Sequence, residues 1–125
     1  MNTLELGPVG NVFFFAPELD VAVAWYEQLL GVRAERAMPQ LAVWQLGALR
    51  LTLHAEDDFN ARGMPATGTV PYFDVADVDA ALALCVARGG VAHRGPKTVF
   101  SGERLVQILD PFGNLLGLRQ PPAAG

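Results

Sequence analysis

The chain has one cysteine, Cys85, and two histidines in 125 residues. A lone thiol excludes an internal disulfide and fits a reducing compartment, so a cytoplasmic protein is expected. Two histidines leave little material for an imidazole-based metal centre. Only nine residues are Lys or Arg, and the net charge is −4. There is thus no basic stripe of the kind that grips nucleic acid or anionic lipid. No apolar run approaches the length that crosses a bilayer. The N-terminus lacks a basic segment ahead of its short Phe run, so no signal peptide is expected. Gly89-Gly90 has neither the Lys nor the spacing of a phosphate-binding loop.

Hydrophobic residues make up 51% of the chain, which suits one packed domain over residues 1–125. Its landmark is Gln107 to Leu118. Asp110, Pro111 and Gly113 suit a type I turn closed by a left-handed residue, and apolar runs flank it, so the segment is a hairpin.

Elsewhere, Asn11 to Ala16 reads as a buried strand. Leu19, Ala22, Val23, Tyr26 and Leu30 make a helical stripe that Gly31 stops. Val32 to Arg36 is a short strand, and Leu41–Leu46 and Leu49–His54 form a hairpin. After a polar stretch, Val70 to Val75 is a strand, and Asp77 caps a helix carrying Val78, Ala81, Leu82 and Cys85. Strands follow at Val91–Arg94, Arg104–Leu109 and Leu115–Arg119, and residues 121–125 form a tail expected to fray. Cys85 belongs to an apolar stripe, which makes it a core residue, and Glu56-Asp57-Asp58 reads as a solvated run.

The two halves repeat. An offset of 59 pairs Phe14 with Phe73, Tyr26 with Cys85 and Gly31 with Gly90, and it grows in later turns. Module one is 9–54, the linker 55–69 and module two 70–120. Each module is βαβββ, and neither can cover its sheet alone. The expected class is α+β, with curved mixed sheets around a concave cup and helices outside.

Strand alternation then sorts the side chains. Leu49, Leu51 and Leu53 face the helix; Arg50, Thr52 and His54 face away. Asn11, Phe13 and Phe15 share that second face in module one. Tyr72, Asp74, Gln107 and Arg119 share it in module two, with Trp44 assigned to the same surface. Aromatic walls with a few placed polar groups suit a small apolar or aromatic ligand. Two other readings are open: these rings fill a closed core, or they form a dimer contact.

The motifs Ala24-Trp25-Tyr26-Glu27-Gln28-Leu29-Leu30-Gly31-Val32, Phe73-Asp74-Val75-Ala76-Asp77-Val78-Asp79 and Asp110-Pro111-Phe112-Gly113-Asn114-Leu115-Leu116-Gly117-Leu118, in that order on a duplicated frame, resemble the vicinal oxygen chelate superfamily. It includes glyoxalase I, extradiol dioxygenases, and fosfomycin- and bleomycin-resistance proteins. The resemblance implies a divalent metal in the enzymes, held from the first and last strands of each half. Those positions here are Asn11, Val70, Thr52 (or Arg50) and Gly117. None is His, Glu or Asp, so no metal and no cofactor is expected. The chain is then similar to the bleomycin-resistance branch, which implies a metal-free, homodimeric binder that sequesters an antibiotic or an aromatic metabolite. The alternative is an enzyme of the same fold, lyase, isomerase or dioxygenase-like. It would use His54 with Asp74 as an acid–base pair and Arg50 against an oxyanion, with Tyr72 as the acid instead in a variant of the same reading, or an atypical metal site.

Overall fold

A computed structural model describes residues 8–58 and 70–123. Most of the linker and the last two residues of the tail fall outside the described residues. Module one runs β1 (Asn11–Ala16), α1 (Leu19–Leu30), β2 (Glu35–Met38), β3 (Leu41–Leu46) and β4 (Leu49–Ala55). Module two repeats the order with β5 (Tyr72–Asp74), α2 (Val78–Ala87), β6 (Val91–Thr98), β7 (Arg104–Leu109) and β8 (Leu115–Gln120). Each makes a four-stranded mixed sheet, ordered β1-β4-β3-β2 and β5-β8-β7-β6. The first and last strands of each module pair in parallel and the others antiparallel.

Local chemistry explains the helix ends. Gly31 takes a left-handed conformation, φ 71°, and its N–H reaches the Glu27 carbonyl, which is the glycine stop of a helix. Asp77 caps α2, accepting from the Ala80 N–H at 3.1 Å. Only Val78 and Cys85 of the α2 stripe are fully buried; Ala81 and Leu82 are half-covered.

Strands β4 and β8 each run one residue past the sequence reading, and three strands differ from it by more. Residues 32–34 are not in β2, because other elements claim their backbone: Trp44 Nε1 donates to the Val32 carbonyl, and the Ala34 N–H donates to Glu27 Oε2. β5 is three residues long, and the Pro71 carbonyl accepts instead from Gly117 N–H. β6 continues past Arg94 to Thr98, through Pro96. It can do so because β6 is an edge strand, where a missing N–H costs no ladder bond.

The buried apolar residues of both modules form a single cluster, from Phe14, Tyr26 and Leu53 to Val78, Ile108 and Leu118. Among the described residues, three side chains tie the modules across it by hydrogen bonds. The Asn114 side chain accepts from Phe15 N–H at 3.1 Å and donates to the Phe15 carbonyl at 2.9 Å. It therefore stands in for a neighbouring strand on the open edge of β1. Trp25 Nε1 donates to the Arg88 carbonyl at 2.6 Å, and its ring meets Phe112 edge-on. Tyr26 Oη donates to Asp110 Oδ2.

Candidate functional site

In module one the parallel register sets Asn11 beside Arg50, Phe13 beside Thr52 and Phe15 beside His54. The expected face is therefore present. Phe13 and Phe15 stack at 6.3 Å between centroids, and the His54 ring lies 5.5 Å from Phe15 and 6.3 Å from Phe13. Phe13 is 48% exposed. His54 Nδ1 is 2.6 Å from the Ala55 carbonyl, so its ring is oriented by its own strand.

In module two, Tyr72 pairs with Gly117 and Asp74 with Arg119. Gln107 Nε2 donates to Tyr72 Oη at 2.9 Å. Arg119 holds both Asp74 oxygens, at 2.8 and 2.9 Å, and also donates through Nε to Glu103. Arg119 and Asp74 thus neutralise each other. Glu103 was not foreseen, because it precedes β7 and only the fold brings it to Arg119. Its carboxyl lies below the ordinary range, held there by the Ser101 hydroxyl and by Arg119.

Trp44 does not join this surface. It is 2% exposed, pairs with Leu51, and its ring lies 6.1 Å from Tyr26 on the helix side. The β2–β3 segment alternates, but a large indole with one N–H is more stable buried once that N–H has the Val32 carbonyl. The acid–base pairing of His54 with Asp74 also fails. Asp74 is spent on Arg119, and among the described residues no contact joins it to His54.

The positions that hold metal in the related enzymes do not fit an ion here. Thr52 Oγ1 donates to Asn11 Oδ1 at 2.9 Å, so these two oxygens satisfy each other. Val70 has no donor. A Cβ at Gly117 would lie 2.5 Å from the Pro71 carbonyl and 2.8 Å from the Tyr72 ring. The Tyr72 ring occupies the space that a ligating side chain would need. Among the described residues no group of three or more His, Cys, Asp or Glu could hold a metal.

Two cavities matter. One, about 480 Å³, lies on the helix side among Leu29, Leu49, Leu51, Phe73, Leu84 and Leu116. It is almost wholly apolar, and the polar groups at its wall, Asp74 and Tyr26 Oη, are already paired. The other, about 360 Å³, lies at Tyr72 and Gln107 on the expected face. It has convergent polar groups, which orient a ligand, and so it is the better candidate.

The sequence model of the Glyoxalase/Bleomycin resistance protein/Dioxygenase superfamily matches residues 9–118. The chain belongs to this superfamily. Solved members share its architecture. A glyoxalase/bleomycin resistance protein/dioxygenase family enzyme from Burkholderia phytofirmans PsJN superposes with a TM-score of 0.72 at 19% identity, over 89% of this chain and 96% of that one. A glyoxalase/bleomycin resistance protein from Catenulispora acidiphila DSM 44928 gives 0.68 at 25% identity, over 93% and 100%. A lactoylglutathione lyase from Agrobacterium tumefaciens gives 0.68 at 23%, over 92% and 94%. No curated protein sequence matches the chain significantly. Superfamily membership carries the fold; this fold hosts several chemistries, so the site must decide function.

Proposed function

We propose that this chain is a small-molecule-binding member of the superfamily that works without a divalent metal and sequesters an apolar or aromatic compound, an antibiotic or an aromatic metabolite. The single observation that supports it most is the Tyr72 ring against Gly117. A metal-dependent site needs a donor there, and this chain has placed an aromatic wall in its stead. The exposed Phe13 ring and the half-buried Phe15 ring, with His54 beside them, supply stacking surface. The chain acts as a homodimer, as in the metal-free branch that it resembles, and a second copy covers part of the exposed aromatic face.

The experiment is a thermal-shift and calorimetric screen of aromatic metabolites and antibiotics on the wild type, Phe13→Ala and Tyr72→Ala. A ligand whose stabilisation falls in both variants supports the reading. Titration with Mn, Fe, Ni and Zn should give no stoichiometric ion; a tight one-to-one ion that Asn11→Ala or Thr52→Ala removes would refute it. Sedimentation equilibrium checks the dimer.

A further inference from the structure

We propose that the cavity of module two is an anion site, and that the ligand of this protein carries a carboxylate or phosphate which Arg94 and Lys97 hold. The inference rests on the small-molecule reading above and adds the chemical class of the ligand. It starts from register. Arg94 and Lys97 are three residues apart, so a regular strand would send them to opposite faces. β6 is not regular. Arg94 pairs with Gln107 and Lys97 with Leu105, so three steps on β6 oppose two on β7. The extra residue is a bulge, and a bulge re-aims every side chain beyond it. Gln107 and Leu105 are two apart and share a face, so their partners Arg94 and Lys97 share it too.

Gly95 makes the bulge possible. It has φ 82°, and a Cβ there would lie 2.7 Å from the Leu105 carbonyl, so no other residue fits without strain. The neighbouring helix-side residues Val106 and Ile108 are buried, which fixes the Arg94–Lys97 side as the open one.

The other arginines of module two are occupied: Arg104 by Asp79, Arg119 by Asp74 and Glu103, Arg88 by the Leu84 carbonyl. Arg94 and Lys97 have no partner among the described residues, and both line the cavity with Tyr72, Gln107, Val99 and Leu105. Among the described residues no carboxylate lines it. Two unpaired cations meet in one hollow of a protein whose net charge is −4. Tyr72 Oη accepts from Gln107, which leaves its own proton to donate. A guanidinium fork, an ammonium and a phenol O–H all offer donors, and an oxyanion is the group that accepts them together. Val99, Leu105 and the Tyr72 ring leave room for an apolar body.

The test is calorimetry with 2-naphthoate, 2-naphthyl phosphate and neutral 2-naphthamide, on the wild type, R94Q, K97Q, R94Q/K97Q and Tyr72→Ala. Both cations are exposed, so the variants should unfold at the wild-type urea midpoint. The expected result is binding of an anionic probe, with the amide weaker by roughly tenfold or more and a similar loss in each single variant. The carboxylate and phosphate arms tell the two sources apart. If acid and amide bind alike and R94Q/K97Q changes neither, while Tyr72→Ala weakens both, the anion site is refuted and the small-molecule reading stands. If none of the three probes binds the wild type at millimolar concentration, the anion site is refuted, and the screen described above decides the small-molecule reading separately.

Discussion

The Tyr26 hydroxyl donates to Asp110 Oδ2 at 2.7 Å, joining helix α1 of one module to the β7–β8 turn of the other. Tyr26 is 1% exposed and Asp110 4%. A buried carboxylate is tolerated only when its lone pairs are filled. Asp110 meets that demand: Oδ1 accepts from Phe112 N–H and Asn114 N–H, and Oδ2 from Tyr26 Oη and Asn114 Nδ2. One side chain thus shapes the turn and ties the modules.

Removing either partner should therefore cost unequal amounts. Tyr26→Phe deletes one donor and leaves Asp110 with three, a loss of about 1–2 kcal/mol. Asp110→Ala strands a buried phenol O–H and two turn N–H groups, a loss of about 3 kcal/mol or more. Urea unfolding should show lowered midpoints at unchanged slope. Equal losses in the two variants would mean that the turn does not depend on the carboxylate.

The same burial sets an alkaline limit on stability. Burial, with the Asp110 charge next in weight, holds the Tyr26 phenol well above its usual value, and burial raises the Cys85 thiol. Both groups keep their protons longer folded than unfolded. Their contribution is complete below the unfolded values, about 8.5 for Cys and about 10 for Tyr. It declines as pH rises beyond them, by up to about 1.4 kcal/mol per pH unit for each group. Wild type should lose stability from about pH 9 and faster above about pH 10. The gap between wild type and Tyr26→Phe should narrow above about pH 10, and Cys85→Ala should flatten the earlier part. Urea midpoints between pH 8 and 11 check both.

These residues also show what the sequence could convey. Tyr26 lay on the helical stripe and Asp110 at the turn, so each position was legible, but their bond spans 84 positions and no local pattern encodes it. The duplicated frame followed from the constant offset between the halves, and the shared face of Phe13 with Phe15 and of Tyr72 with Gln107 from alternation; the Gln107–Tyr72 hydrogen bond itself did not. Trp44 did not, because the indole went where its N–H could be paired with Val32. The shared face of Arg94 and Lys97 is hidden from the sequence for a sharper reason. Period-two reasoning fails at a bulge, and Gly95-Pro96 looked like the end of a strand when it was a register change inside one.

Asn114 offers a test of how the modules are joined. Its amide donates to the Phe15 carbonyl and accepts from the Phe15 N–H, two bonds that no other residue type at this site reproduces. Asn114→Ala should cost about 2 kcal/mol, since both Phe15 groups then lie unpaired at a partly covered strand edge. Asn114→Asp should be worse at neutral pH, because it sets a second carboxylate against Asp110 and loses both Nδ2 bonds. Hydrogen exchange at Phe15 N–H should accelerate in Asn114→Ala before the rest of β1 does.

Gly117 carries the last expectation. It marks a metal-ligand position of the related enzymes, yet a Cβ there would press within 2.5 Å of the Pro71 carbonyl and 2.8 Å of Tyr72 Cδ1. Backbone cannot yield as a flexible side-chain tip does, so Gly117→Ala should cost about 1–3 kcal/mol by overpacking. The Pro71 carbonyl also accepts from Gly117 N–H at 3.0 Å, and displacing it would lose that bond. Gly117→Glu with Val70→His and Asn11→His, which writes the donors back, should therefore still bind Ni or Mn poorly. Adding Tyr72→Ala to that triple variant clears the ring, and a tighter ion should follow if the ring is what bars it. Isothermal titration of the triple and quadruple variants decides: equal affinity in both would mean that Tyr72 is not the obstacle.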